Sequence, residues 1–200
     1  MIVKTIAFLL VVFLANILQT ITGFAGTALA MPFCIALLGK NVSAPLNNFV
    51  AIIVSVSILL KNPKNIKWKE VIIMLLFMCV GMAIGWKVET FIDSKLLYTI
   101  YGIFVILIAL YFLFIKHVKI PKPILYVILL LAGAIHYIFI SGGPLVVIVA
   151  TIMFDDMNDF RSSLAIVWIV LNSIIFAKDI AMANITAEMT ILLAAMICVV

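Results

Sequence analysis

The sequence predicts an all-α, polytopic transmembrane fold, made of two repeats that each start with a glycine-broken helix hairpin. Three observations carry this. Of 200 residues, 68% are hydrophobic and only 10% charged, which excludes a water-soluble globule because too little polar surface remains to face water. The apolar residues form runs long enough to cross hydrocarbon, for which a helix needs about 20 residues. Two of these runs are overlong and broken near the middle. The first break reads Thr20-Ile-Thr22-Gly23-Phe-Ala-Gly26, with Pro32 beyond it, and the second Phe139-Ile-Ser141-Gly142-Gly143-Pro144.

Residues 5–38 are the first overlong segment. The polar turn Gly39-Lys-Asn-Val-Ser-Ala-Pro45 leads to a span at 46–60, and the basic loop 61–70 separates this from spans at 71–86 and 96–115. After a second basic loop, Lys116 to Pro123, the pattern restarts: an overlong broken segment at 124–154, a polar turn from Asp155 to Arg161, and a span at 162–177. A last apolar run begins at Met189 and is still running at Val200. The first repeat is assigned to residues 1–115 and the second, incomplete at its C-terminal end, to 116–200. Laying Gly26 over Gly143 aligns the two at an offset of 117 residues. Self-similarity at half the chain length implies a duplicated fold. If each broken segment dips in and returns as two half-helices, the second repeat is inverted; if each crosses once, the repeats run parallel. The length of the broken segments favours the hairpin and the inverted arrangement.

The net charge of +5 is not gathered into a nucleic-acid-binding patch. Its densest clusters, in loops 61–69 and 116–122, are separated by two spans and can share the cytoplasmic face. The apolar run after Lys4 continues too far for a cleaved signal peptide and lacks a small-x-small cleavage site. Trp68, Trp86 and Tyr126 lie at span ends, where such rings anchor to headgroups. Cys34, Cys79 and Cys198 are isolated, with no histidine at ligand spacing, so neither a disulfide framework nor a metal site is expected, and no cofactor is implied.

No Lys, Arg, Asp or Glu falls mid-span in this reading, which disfavours a proton relay or cation site built on intramembrane carboxylates. Backbone and neutral polar groups remain. A helix cannot break in hydrocarbon unless its freed N–H and C=O groups find partners in protein or a water-lined cavity. Paired broken helices at matching positions of two repeats mark a transport site. Helices restarting after each break would direct unpaired N–H groups and the positive ends of their dipoles into a shared cavity, where they can hold an anion. The substrate-binding candidates are Gln19, Thr22, Gly23, Gly26 and Thr27 at the first break and His136, Ser141, Gly142 and Gly143 at the second. The glycines would allow close approach and positive φ angles, and Pro144 can begin a helix because its missing N–H is unpaired there. His136 reads as the one ionisable group buried in a span: either a pH-responsive cavity group or a neutral imidazole bonded to a neighbour. Asn16 poses the same choice. Asn47, Asn48, Ser55, Ser57, Ser163, Asn172 and Ser173 are weaker lining candidates. Gly81, Gly85, Gly102 and Gly133 read as helix-packing positions.

Gly23-Phe-Ala-Gly26-Thr-Ala-Leu-Ala-Met-Pro32 and Ser141-Gly-Gly-Pro144, with the turn-and-span unit after each, resemble the sulfite exporter TauE/SafE family, also called the toluene-sulfonate uptake permeases. The resemblance covers most of the chain. It implies duplicated halves, no enzymatic activity, and transport of sulfite, a sulfonate or a related small organic anion across a bacterial inner membrane. Family chains usually run some tens of residues further. The implied partners are a small anionic substrate and the lipid bilayer, with homo-oligomerisation left open. Two alternatives remain: a membrane redox enzyme working through paired cysteines, and a passive channel or non-transporting membrane protein.

Overall fold

A computed structural model of the chain describes residues 2–22, 26–61, 63–114 and 120–182, with 189, 192–194 and 196. Eight helices run through them: α1 (Ile2–Thr22), α2 (Gly26–Leu38), α3 (Lys40–Lys61), α4 (Trp68–Phe91), α5 (Ser94–Phe114), α6 (Lys122–Phe139), α7 (Gly143–Met153) and α8 (Met157–Ala181). Six, all but α2 and α7, are long and apolar enough to cross a membrane. The protein is a multi-pass, all-helical membrane protein. The last apolar run lies mostly outside the described residues.

Both overlong segments are hairpins. Gly26 packs onto the side chain of Gln19 and the carbonyl of Ala15, and Ala30 and Cys34 further along α2 share a core with Phe8 and Val12 of α1. Gly142 likewise lies on the Ala132 carbonyl and on His136 Cβ, while Val146 and Ala150 cluster with Leu125 and Leu129. At a rise of about 1.5 Å per residue, α2 and α7 are about 20 and 17 Å long, short of the roughly 30 Å needed to cross.

The long helices extend past the apolar runs. The turn expected at 39–45 reduces to Gly39, whose φ of +76° requires glycine or strain; Lys40 to Pro45 are already helical. Similarly α4 continues to Phe91, α8 begins at Met157, and α8 continues through Lys178 and Asp179 to Ala181. Hydropathy marks only the stretch suited to hydrocarbon, whereas a helix continues into the headgroups wherever its ends are capped. Asp156 accepts from the N–H groups of Asn158 and Asp159 at 2.7 and 3.1 Å, and Asp93 accepts from Lys95 and Leu96, each satisfying first-turn donors.

Helices far apart in the chain pack on one another. α3 and α8 run antiparallel: Asn48 Nδ2 donates to the Asn172 carbonyl at 3.1 Å, the Lys67 N–H just beyond α3 donates to Ser163 Oγ, and the start of α3 lies with the end of α8 around one cavity. α4 lies parallel to α6, with Gly81 on Leu130, Gly85 on Ala134 and Gly133 on Met78, backbone to backbone and too close for an added Cβ. Small residues permit such close approach, as expected for these three of the four glycines read as packing positions. Gly102 does not follow: it faces open space, on α5, where only Leu97 and Tyr101 are buried. Met189 and Met196 join the core around α1. Trp68 and Trp86 are exposed as anchors should be, but Tyr126 stacks on Phe77 at 4.5 Å.

Candidate functional site

The two hairpins place matching groups at their bends. Gln19 and His136 are 117 residues apart, as are Ala15 and Ala132, and each pair receives a glycine at the start of the returning helix: Gly26 in the first hairpin and, one residue before the aligned Gly143, Gly142 in the second. Gln19 is 3% exposed and His136 2%. Gln19 Oε1 and both ring nitrogens of His136 make no hydrogen bond of good geometry among the described residues. A buried polar atom left unsatisfied costs about 1–3 kcal/mol, which singles these three atoms out as candidates for a ligand contact.

Around His136 the unsatisfied atoms form a cluster. Its ring lies 5.2 Å from that of Trp168 and in electrostatic contact with Asn172. Trp168 Nε1, Asn172 Oδ1 and Asn48 Oδ1 are buried and find no hydrogen-bond partner among the described residues. α3, α6 and α8 therefore bring a cluster of neutral donors and acceptors together beside the second bend.

The chain conformation at that bend differs from expectation. The left-handed residue is Ile140 (φ 53°, ψ 31°), while Gly142 is helical (φ −72°, ψ −12°). The Gly142 requirement is thus steric, not conformational. A left-handed conformation costs an L-residue about 1–2 kcal/mol, and Ile140 is held in it while 1% exposed. Its N–H donates to the His136 carbonyl at 2.8 Å, closing α6. α7 then starts at Gly143 with no side-chain cap and Pro144 in its first turn, so its amino end has donors to offer.

Of the candidates, Gln19 and Gly26 meet at the first bend, and Thr27 is half-buried in the first turn of α2. His136, Ser141, Gly142 and Gly143 are all buried at the second. Gly23 and the side chain of Thr22 lie outside the described residues. α2 packs against α7, and Met31 of α2 shares a cluster with Phe139 and with Tyr101 of α5. Tyr101, which stacks on Phe139 at 4.1 Å, was not signalled by the sequence.

A cavity of about 220 Å³ reaches Ile140 from the end where α3 starts and α4 and α8 finish. Charge lines it: Lys40, Glu89, Lys178 and Asp179. This corrects the reading of these residues as loop charges and of His136 as the one buried ionisable group in a span, since Asp179 is 6% exposed within α8. At the opposite end, the expected solvated turn carries an ion pair, Lys67 to Asp159 at 3.0 Å, with Asn65 donating to the same carboxylate. No group of metal-ligating side chains occurs among the described residues. Cys34 is buried, Cys79 is exposed, and both are free thiols; Cys198 lies outside the described residues.

The model of one protein family, described as Sulfite exporter TauE/SafE, matches residues 8–200. Comparison with curated proteins and with solved structures gives no match.

Proposed function

Since this chain belongs to the sulfite exporter TauE/SafE family of membrane transporters, we propose that it is a secondary transporter of a small organic or sulfur-containing anion, such as sulfite or a sulfonate. The anion binds between the two helix bends and crosses by alternating access of the two halves, residues 1–115 and 116–200, in a bacterial inner membrane.

The observation that carries this is the matched pair of bends. Each sets a buried, unsatisfied polar side chain, Gln19 or His136, beside the glycine at the bend. Each returning half-helix then begins with its positive end at that level, where an anion is stabilised without a cationic side chain. The antiparallel run of α3 against α8, the equivalent helices of the two halves, supports an inverted repeat. In such a fold, rocking one half against the other exposes a midplane site to each side in turn.

The test is uptake into proteoliposomes of labelled sulfite, thiosulfate, taurine, sulfoacetate and small carboxylates under an imposed ion gradient. Concentrative uptake of one of these, abolished by collapsing the gradient, is the expected result. Equilibration without concentration would indicate a passive channel. Loss of activity in a cysteine-free variant would favour the redox alternative.

A further inference from the structure

The cavity reaching the second bend is walled by both halves: Lys40 and Glu89 come from the first, and Tyr137, Ile140, Lys178 and Asp179 from the second. Its four charges sum to zero. Lys40 pairs with Glu89, and Lys178 lies 3.6 Å from Asp179 and within electrostatic reach of Glu89. In each pair one side chain is well shielded, Lys40 at 15% exposed and Asp179 at 8%, while Glu89 and Lys178 are 31% and 35% exposed. Charges so shielded interact far more strongly than exposed ones.

The ammonium groups have further attachments. Lys178 Nζ donates to Tyr137 Oη at 3.1 Å and lies 4.7 Å from the centre of that ring. Lys40 Nζ lies 5.5 Å from the centre of the Phe139 ring. An aromatic face holds a cation in place independently of any carboxylate. Both rings belong to the last turn of α6, directly before Ile140. Lys40 also opens α3, whose amino end adds positive potential to the cavity.

We propose that this cavity is an entry vestibule for the transported anion, in which Lys40 and Lys178 exchange their resident carboxylates, Glu89 and Asp179, for the substrate before it reaches the second bend. The aromatic rings keep the ammoniums in place while the carboxylates withdraw. In the empty protein the carboxylates satisfy the ammoniums, so the vestibule need not hold an unpaired charge, which would be costly at such burial. Substrate competes with a built-in anion, and removing that competitor therefore tightens binding.

The inference rests on the transporter reading, but its test is separable from it. The full-length protein in detergent is titrated with radiolabelled sulfite by equilibrium dialysis, and uptake is measured in proteoliposomes. Lys40→Gln and Lys178→Gln each weaken sulfite binding roughly tenfold, the scale of one charge-assisted hydrogen bond. Glu89→Gln strengthens it by roughly threefold to tenfold by releasing Lys40. A merely structural ion pair predicts the same sign for both partners, so weaker binding in a folded Glu89→Gln variant overturns the proposal. So does unchanged affinity in folded Lys40→Gln and Lys178→Gln, the absence of saturable sulfite binding, or binding of a cation instead. Where a glutamine variant at either lysine does not fold, Glu89→Gln alone decides, with Lys40→Arg as the charge-keeping control. Charge-dependent sulfite binding without uptake of any anion in the panel would refute the transporter reading and leave an anion site. Uptake insensitive to all three glutamine substitutions would refute the vestibule and leave the transporter.

Discussion

Replacing Gly142 with alanine tests the second hairpin at its tightest point. The backbone there is helical, so alanine meets no torsional penalty and, by restricting the unfolded chain, would gain about 0.4–1 kcal/mol. Against this, its Cβ would lie 2.8 Å from His136 Cβ and closer still to the Ala132 carbonyl oxygen, where carbon contacts prefer about 3.5–4.0 Å. Neither neighbour can rotate away, because one is backbone and the other is fixed to it. The hairpin must open by about 1 Å, and overpacking of this kind costs about 1–3 kcal/mol. The net loss of about 1–2 kcal/mol lowers the melting temperature in detergent by roughly 2–8 °C for a chain of this size. Labelled sulfite uptake falls more steeply than stability, because the movement separates His136 from the start of α7. Gly102→Ala is the control, since its Cβ meets nothing within 4 Å. A Gly142→Ala protein that melts and transports like wild type, or a Gly102→Ala protein that loses as much, would refute the steric argument.

Gly133→Leu, pressed against the Met78 backbone, separates α4 from α6 and lowers stability by roughly 3 kcal/mol; a normal melting curve would contradict this. His136→Gln copies the group that stands at the equivalent place in the first hairpin. It retains uptake, and a folded variant without uptake would show that the two bends are not interchangeable. At the other end, the hydrogen bond and charge of Asp159 raise the Lys67 pKa above its ordinary 10.5. A raised pKa means that the ammonium stabilises the fold fully below that value and ceases to do so as pH rises past the folded one. Asp159→Asn therefore lowers the melting temperature by the same increment from neutral pH to about 9, and an increment that vanishes within that range would be inconsistent with the bridge.

Much of this arrangement was legible in the residues. The breaks at Gly23–Gly26 and Ser141–Pro144, the offset of 117 and the paired positions of Gln19 and His136 all follow from one chain aligned on itself. The charged cavity was not legible, because Lys40, Glu89, Lys178 and Asp179 stand where apolar runs end, and hydropathy cannot tell a loop from a helix's last turn. Their meeting depends on α3 and α8 running antiparallel, a relation between segments over 100 residues apart. Ile140 was equally hidden. Two glycines, Gly142 and Gly143, follow shortly after it, and nothing in a one-dimensional pattern says that the β-branched residue, not they, takes the left-handed turn. Tyr101 is one aromatic among many on an otherwise exposed helix, and only its stacking on Phe139 sets it apart.

The pairing of α4 with α6 bears on how the molecule is made. As the chain leaves the ribosome, α4 enters the bilayer with Gly81 and Gly85 forming a groove that nothing upstream fills, since its partner α6 lies beyond α5. Met189 and Met196 likewise reach α1 only after α2 to α8 have all been synthesised. Neither half can therefore mature in order of synthesis. The first must wait in lipid, with small residues bare along one face, until the second arrives to complete it. Separately expressed halves should accordingly need each other to escape degradation, and cells making either alone would treat it as an orphan.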